Sequence, residues 1–233
     1  MQQNNTQSNS IFNNANRKKI RMNFADSITA STYNLIIGGV LLYGFIVNAL
    51  IVWLGSDFFI SVASKHYFIF IIGYFILCIV GSAISFKAQN PFISFLGYNL
   101  VVVPIGAVLA VSLPFYYISD ILLAIVTTGA VTAVMMILGT AFPRAFAKMG
   151  RTLFISLLIG LIANIIATFL GYAGNAFNWI FVVIFSLYIG YDWQKAQMYP
   201  KTADNAVDCA LDLYLDIINL FIRLLSIISR NRD

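Results

Sequence analysis

The sequence predicts an all-α polytopic membrane protein. Of its 233 residues, 60% are hydrophobic and only 10% are charged, and the mean hydropathy is +0.85. A soluble domain does not need so much apolar surface. The apolar runs are continuous and near the ~20 residues that a helix needs to cross a bilayer, and they lack the alternation of barrel strands. We therefore expect seven transmembrane helices, with the last one at the centre of the bundle.

The tail and the apolar segments follow one another in a simple order. Residues 1–24 are rich in Asn and Gln and end in a basic cluster, which predicts a disordered basic tail before a single transmembrane domain at 25–233. Turn-forming residues separate several of the segments that follow. Because the apolar run hardly pauses at Pro114, six spans or a re-entrant segment is the alternative. We number the segments one to seven: 30–54, 66–86, 92–112, 119–142, 151–172, 175–193 and 206–229.

Basic residues between the segments predict the orientation of the chain. With the N-terminus in the cytoplasm, ten Lys and Arg residues lie on the cytoplasmic side, and Lys65 alone lies in the opposite loops. The net charge of +5 is then explained by topology, and we expect no nucleic-acid partner. Arg223, Arg230 and Arg232 belong to segment seven and the tail after it, so the side of the C-terminus is left open.

Two aspartates lie inside apolar segments. Asp192 falls in segment six, within FVVIFSLYIGYDWQ, and Asp216 in segment seven, within ALDLYLDIINLFIRLL. A carboxylate in such a segment costs from a few to more than ~10 kcal/mol, so it usually faces a protein interior or a water path and handles ions or protons. Two carboxylates that share one poorly hydrated site cannot both ionise cheaply, so such a pair would keep one proton at a higher pH than an isolated aspartate does.

Segment seven carries further polar residues at helical spacing. Asp208, Asp212 and Asp216 are four residues apart and form one stripe, which Asn219 and Arg223 extend. Such a stripe must turn away from lipid, which predicts a central position for this helix. The alternative is that Asp208 and Asp212 simply lie in the headgroup region where the helix begins.

The sequence contains no zinc, phosphate-loop or nucleophile-elbow motif, so we expect no enzymatic activity and no cofactor. An intramembrane aspartyl protease also needs two membrane aspartates, and Tyr191-Asp192 resembles one of its motifs. The other motif has glycines before its aspartate, whereas Leu213, Tyr214 and Leu215 precede Asp216 here. This class is therefore disfavoured.

Segments six and seven resemble the paired signatures of the transmembrane Bax inhibitor motif family, in its bacterial form. The residues concerned are FSLYIGYDWQ at 185–194 and the more specific LYLDIINLF at 213–221, and the resemblance extends over about residues 25–229. It implies a pH-sensitive calcium leak in which Asp192 and Asp216 form a hydrogen-bonded pair that senses pH. Their oxygens would be transient ligands of Ca²⁺. The resemblance also favours a bacterial plasma (inner) membrane.

This sequence departs from the family at several positions, and two of these departures concern the acidic pair. Relatives commonly hold a basic residue near the end of segment two that pairs with the aspartate of segment six, and Lys87 is the candidate here. It is either a looser latch than an arginine or an ordinary topology-setting residue. Asp212 is an extra acid that would tune the proton affinity of the pair, and Asn219 and Arg223 are further tuning candidates.

Two other functions stay open. One is a non-conducting membrane regulator of the stress response or of a membrane quality-control protease, in which the acidic pair is a switch without a pore. The other is a proton-coupled secondary transporter, although no inverted repeat is evident. Passive flux favours the leak and saturable uptake favours the transporter. The expected partners are the lipid bilayer, calcium and protons, and for the regulator a membrane-bound protease or another membrane protein.

Overall fold

The computed structural model describes residues 27–171 and 175–230. The predicted basic tail at 1–24 lies outside the described residues. The described chain forms seven long α-helices, one short α-helix and a 3₁₀ turn, which confirms the predicted all-α fold class. In chain order these elements are α1 (Ala30–Lys65), α2 (Tyr67–Lys87), α3 (Pro91–Ser112), the 3₁₀ turn (Leu113–Phe115), α4 (Ile118–Ala141), α5 (Pro143–Ala147), α6 (Gly150–Phe169), α7 (Asn175–Met198) and α8 (Ala203–Arg230).

Six of the described helices, α1 to α4, α6 and α7, have the length and apolar composition of membrane spans. The exposed residues of these helices are largely Leu, Ile, Val and Phe, as expected where lipid rather than water surrounds the protein. Helix α8 is equally long but carries four aspartates between residues 203 and 216. The chain is therefore a polytopic membrane protein, while the count of seven spans stays a prediction.

Helix α8 lies at the centre of the bundle, as predicted. It contacts α1, α2, α3, α4 and α7, and most of its residues are buried, including Leu211, Leu213, Tyr214 and Leu220 with no exposed surface. The helix that carries the most polar side chains is thus the one most completely enclosed by protein. This arrangement lets its carboxyl groups meet polar partners on neighbouring helices instead of lipid.

A four-residue connection, 199–202, joins α7 to α8 and makes them antiparallel neighbours. The Lys201 ammonium group donates to the carbonyl oxygens of Ala196 and Gln197, at 3.0 and 2.9 Å, and so satisfies the C-terminal end of α7. Burial lowers the pKa of Lys201 from its ordinary value. Across the turn, the Asn205 amide donates to the Pro200 carbonyl at 2.9 Å. These bonds fix the register in which α8 runs back along α7.

Helix boundaries differ from the predicted segments, most of all at the end of α1. Helix α1 continues to Lys65, eleven residues past the predicted end at 54, because the polar residues after Trp53 are accommodated within the helix and Ser56 donates to the Val52 carbonyl. The turn after α4 contains the short helix α5, which begins at Pro143, where proline is favoured because its missing N–H needs no partner. Near Pro114 the chain does break, since α3 ends at Ser112.

Candidate functional site

The carboxyl groups of Asp192 and Asp216 are in hydrogen-bonding contact between α7 and α8. The Asp192 side chain is 11% exposed, and Asp216 is 8% exposed. An ionised carboxylate only accepts hydrogen bonds, so a hydrogen bond between two of them requires a proton on one. The structure thus brings together the two aspartates that the sequence singles out, with their carboxyl groups in contact between α7 and α8.

A lysine that sequence reasoning assigned only to topology bonds to Asp192, one member of this pair. The Lys195 ammonium lies 3.2 Å from Asp192 Oδ1 and 2.8 Å from Asp212 Oδ2. Lys195 and Asp192 are three residues apart on α7, whereas Asp212 is on α8, one turn before Asp216. Lys195 therefore bridges the two helices beside the acidic pair. The spacing of three residues between an acid and a base on one helix was the available sequence signal.

Contacts with α4 and α6 hold the last turns of α7 in place. The Trp193 indole donates to Thr140 Oγ1 of α4 at 2.9 Å. The Tyr191 ring packs directly against Gly150 at the start of α6, where a Cβ would collide with it. Because Tyr191 and Trp193 flank Asp192 in the chain, these contacts fix the direction in which the Asp192 carboxyl group points.

Asn219 and Arg223 lie beyond the acidic pair and are not brought to it by contacts within the described residues. The Asn219 amide donates to the Leu215 carbonyl of its own helix at 2.7 Å. Arg223, about 10 Å along the helix axis from Asp216, donates to Asn178 Oδ1 at 3.1 Å and lies 4.4 Å from the centre of the Phe181 ring. The structure therefore places Arg223 toward the other end of the α7–α8 interface, and the tuning role of both residues stays a prediction.

Lys87 is the last residue of α2, and its side chain is exposed. The ammonium group that bonds to Asp192 is that of Lys195, on α7 itself. The role of Lys87 as a latch stays a prediction, and Lys195 is a second candidate for that role.

The first two aspartates of α8 face different helices from the last two. Ser94 of α3 donates to Asp204 Oδ1 at 2.5 Å, and Ser85 of α2 donates to Asp208 Oδ1 at 2.7 Å. A four-residue step overshoots one helical turn by about 40°, so the stripe winds around α8. Asp208 is fully buried and is enclosed by protein instead of extending to a headgroup region.

A second buried polar contact involves the Tyr214 of the LYLD sequence. Asn48 of α1 donates to the Tyr214 hydroxyl group at 2.6 Å, and the Tyr214 ring packs edge-on against Tyr98 of α3. Sequence reasoning missed Asn48, although a lone amide inside the apolar stretch of segment one was a signal. This contact ties α8 to α1, two residues from Asp216.

An apolar cavity of about 780 Å³ lies next to Ile217, the residue that follows Asp216. Its walls come from α1, α3, α4 and α8. Its apolar walls offer few oxygen ligands, so it is not itself a cation site. The lining residues are Phe45, Asn48, Ala49, Val52, Trp53, Leu109, Leu113, Pro114, Tyr116, Ile118, Ile121, Ile125, Thr128, Gly129, Ile217, Ile218 and Phe221.

The fold and the site together define a helical integral membrane protein with a buried pair of carboxyl groups in contact. A family model described as "Inhibitor of apoptosis-promoting Bax1" matches residues 25–233. The chain belongs to the Bax inhibitor-1 family. This confirms the family to which the motifs of α7 and α8 pointed.

Individual relatives match to different extents. The protein YrjE of Lactococcus lactis is 29% identical over 209 residues, which are 82% of this chain and 88% of the relative. A Helicobacter pylori protein is 34% identical over 106 residues, 44% of each chain, so less than half of that relative's length is matched. Bax inhibitor 1 of Saccharomyces cerevisiae is 37% identical over 59 residues, 24% of this chain and 19% of the relative.

Proposed function

We propose that this protein is a pH-sensitive calcium leak in which Asp192 and Asp216 sense the proton concentration. The observation that carries the proposal is the hydrogen-bonding contact between these two buried carboxyl groups across the α7–α8 interface. Intramembrane carboxyl groups of this kind mark proton and ion handling.

The shared proton makes the α7–α8 interface a two-state element. With one proton, the two carboxyl groups attract each other through a hydrogen bond and hold the helices together. Without it, two negative charges face each other at hydrogen-bonding distance in a poorly hydrated site, and their repulsion favours separation of the helices. A single proton therefore biases two arrangements of α7 and α8, which is the requirement for a pH switch.

Calcium enters this proposal as the permeant ion. Carboxylate oxygens are the ligands that Ca²⁺ prefers, and Asp192 and Asp216 supply them. Within the described residues, no group of three or more His, Cys, Asp or Glu side chains is arranged to hold a metal ion. We therefore propose that calcium passes the acidic pair transiently and is not a resident cofactor.

The proposal includes an orientation in a bacterial inner membrane. Basic residues at the ends of α2 and α7 and in the turn between α4 and α6 lie on one side, which we assign to the cytoplasm together with the N-terminus. The acidic pair, near the C-terminal end of α7, then lies toward the cytoplasmic side. The test is a reporter that is active only in the periplasm, fused to the N-terminus. Activity of this reporter would contradict the orientation.

Calcium flux into liposomes that hold the purified protein tests the function. Flux is followed with an enclosed calcium dye from about pH 5 to 8, for the wild type, Asp192→Asn, Asp216→Asn and the control Asp57→Asn, which changes an exposed carboxylate of α1. We expect passive, non-saturable flux whose pH dependence is lost in the first two variants and kept in the control. The direction of the wild-type profile identifies the conducting protonation state.

Two results would contradict the leak. If both site variants keep the wild-type flux and pH profile, the acidic pair is not the sensor. If folded wild-type protein carries no calcium at any pH, the conducting function is wrong, and a non-conducting regulator is the function to test next. Saturable flux coupled to proton movement would instead indicate a transporter.

A further inference from the structure

We propose that the apolar cavity between α1 and α4 is a binding site for one acyl chain of a bilayer phospholipid. The acyl-chain site is defined as this cavity of about 780 Å³, with α8 as its floor and α1, α3 and α4 as its walls. Where the cavity opens, what lines it and how far it extends each point to this occupant. Such a site would exist whether or not the protein conducts calcium.

The cavity is a gap between two helices that share a partner. Helix α1 packs mainly against α3 and α8, whereas α4 packs mainly against α7 and α8. Part of the surface of α8 is therefore left uncovered between α1 and α4, and Ile217, Ile218 and Phe221 line the cavity there. These three side chains are only 8, 7 and 8% exposed, so they lie at the bottom of the gap.

The gap opens sideways, toward the lipid that surrounds the bundle. Trp53 of α1 and Ile118 of α4 line the cavity and are 78 and 75% exposed. Ile125, further along α4, also lines the cavity and is exposed. Because α1 and α4 have the length and composition of membrane spans, the medium at this opening is hydrocarbon. A lipid chain can therefore enter the site directly from the bilayer.

The lining of the site suits a hydrocarbon chain. Among the described residues that line the cavity, none is charged. The donor groups of its two deep polar side chains are used within the protein, since Asn48 donates to Tyr214 and Thr128 donates to the carbonyl oxygen of Ala124. Apolar cavities tend to stay dry. A chain that fills the space gains dispersion contacts with the walls, which an empty space forfeits.

The length of the site matches the acyl chains of one leaflet. On α4 the lining runs from Ile118 to Gly129, which is about 16 Å of helix axis. Half of the ~30 Å hydrocarbon core of a bilayer is ~15 Å, the depth that the chains of one leaflet fill. Helix α4 begins at Ile118, and Ile217 lies near the middle of α8. A chain from the leaflet at the α3–α4 turn therefore fits the cavity lengthwise.

The mouth of the site has aromatic residues of the kind found at the level of lipid headgroups. Trp53 and Tyr116 line the cavity there, and Tyr117 is exposed beside them at the start of α4. Trp and Tyr are enriched where hydrocarbon meets the headgroups. The headgroup of the bound lipid then stays at the interface, outside the cavity. A free fatty acid fits less well, because its carboxylate would find no cation among the lining residues.

Native mass spectrometry of the full-length protein in detergent tests whether a phospholipid is bound. We expect one phospholipid to stay on the wild type after purification from membranes, and most of it to be lost in Gly129→Phe. A side chain at Gly129 enters the site, because no atom of another helix lies within 4 Å of its Cβ position. Gly73→Phe on α2 is the matched control, since Gly73 has the same open surroundings outside the site, and it should keep the lipid.

Quenching of Trp53 fluorescence tests where the chain lies. A phospholipid with a brominated acyl chain is added in equimolar amount to the delipidated protein in detergent, because bromine quenches a tryptophan that it contacts. We expect quenching of the component of the fluorescence that Trp53→Phe removes. Trp179→Phe, which changes an exposed tryptophan of α7, should leave the quenched component unchanged.

Three results would overturn the acyl-chain site. The first is a wild type that retains no phospholipid and shows no quenching of Trp53. The second is equal retention of phospholipid in Gly129→Phe and Gly73→Phe. The third is a bound mass that corresponds to a free fatty acid instead of a phospholipid. If Gly129→Phe does not fold, Ala49→Phe, which changes a residue on the α1 wall of the site, replaces it in the comparison.

Discussion

Gly139 of α4 and Gly190 of α7 pack backbone against backbone, two residues before Asp192. A Cβ on Gly139 would lie 2.5 Å from the carbonyl oxygen of Gly190, closer than real Cβ atoms approach a backbone. Phe146 of α5 packs directly on Gly190 from another side. The acidic pair is thus carried by a part of α7 that is fixed by contact with backbone, which leaves little freedom to absorb a larger side chain.

Gly139→Val should therefore destabilise the protein and disturb the acidic pair. Overpacking of this kind costs about 1–3 kcal/mol, and the backbone contact allows no flexible side chain to move aside. We expect a lower apparent melting temperature in detergent and an altered pH profile of calcium flux. Gly129→Val on the same helix is the matched control, because no atom of another helix lies within 4 Å of its Cβ position. Equal losses in both variants would refute the packing argument.

Tyr214→Phe should destabilise the protein more than Tyr43→Phe does. Both hydroxyl groups are bonded to an asparagine, at 2.6 Å to Asn48 and 2.7 Å to Asn99, but Tyr214 is fully buried whereas Tyr43 is 38% exposed. Loss of the buried hydroxyl group leaves the Asn48 amide without this partner, at about 1–3 kcal/mol. The melting temperatures of the two variants check this, and Asn48→Leu combined with Tyr214→Phe should recover part of the loss.

Lys201 gives a pH dependence whose sign is fixed. Burial lowers its pKa in the folded state, while the unfolded chain keeps a value near ~10.4. Between these two pKa values the folded state therefore binds fewer protons than the unfolded state, so the free energy of unfolding rises with pH there. Relative to Lys201→Gln, the melting temperature of the wild type should increase as pH rises from about 8 toward 10. A difference in melting temperature that stays constant or decreases with pH would show that burial does not lower the pKa of Lys201.

Much of the fold follows from the sequence because membrane helices are defined by length and apolarity. The breaks near Pro91 and Pro200, the apolar segments and the central, acid-bearing last helix were all predictable in this way. Asp192 and Asp216 could be singled out because a carboxylate in an apolar segment is costly. That they meet across the α7–α8 interface was implied by the family resemblance and by the short turn between the helices.

The partners of the acids could not be predicted in the same way. Lys195 follows the apolar part of its segment and looks like a topology residue, although its position three residues after Asp192 turns it to the same side of the helix. Ser85 and Ser94 reach α8 only because α2 and α3 pack closely at Gly81 and Gly97. Such contacts depend on how helices pack in three dimensions, which no local pattern encodes.

The most direct test of the proposed proton sensor measures proton loss from the acidic pair and calcium flux on the same preparation. The infrared signal of the protonated pair, identified with Asp192→Asn, and calcium flux are both recorded over about pH 5 to 8 in liposomes of one composition. If Asp192 and Asp216 control the leak, the two midpoints coincide within about half a pH unit. Two results would contradict the claim that Asp192 and Asp216 control the leak. One is a flux midpoint that differs from the midpoint of the carboxyl signal by more than about one pH unit. The other is flux that keeps its pH dependence when the pair does not titrate.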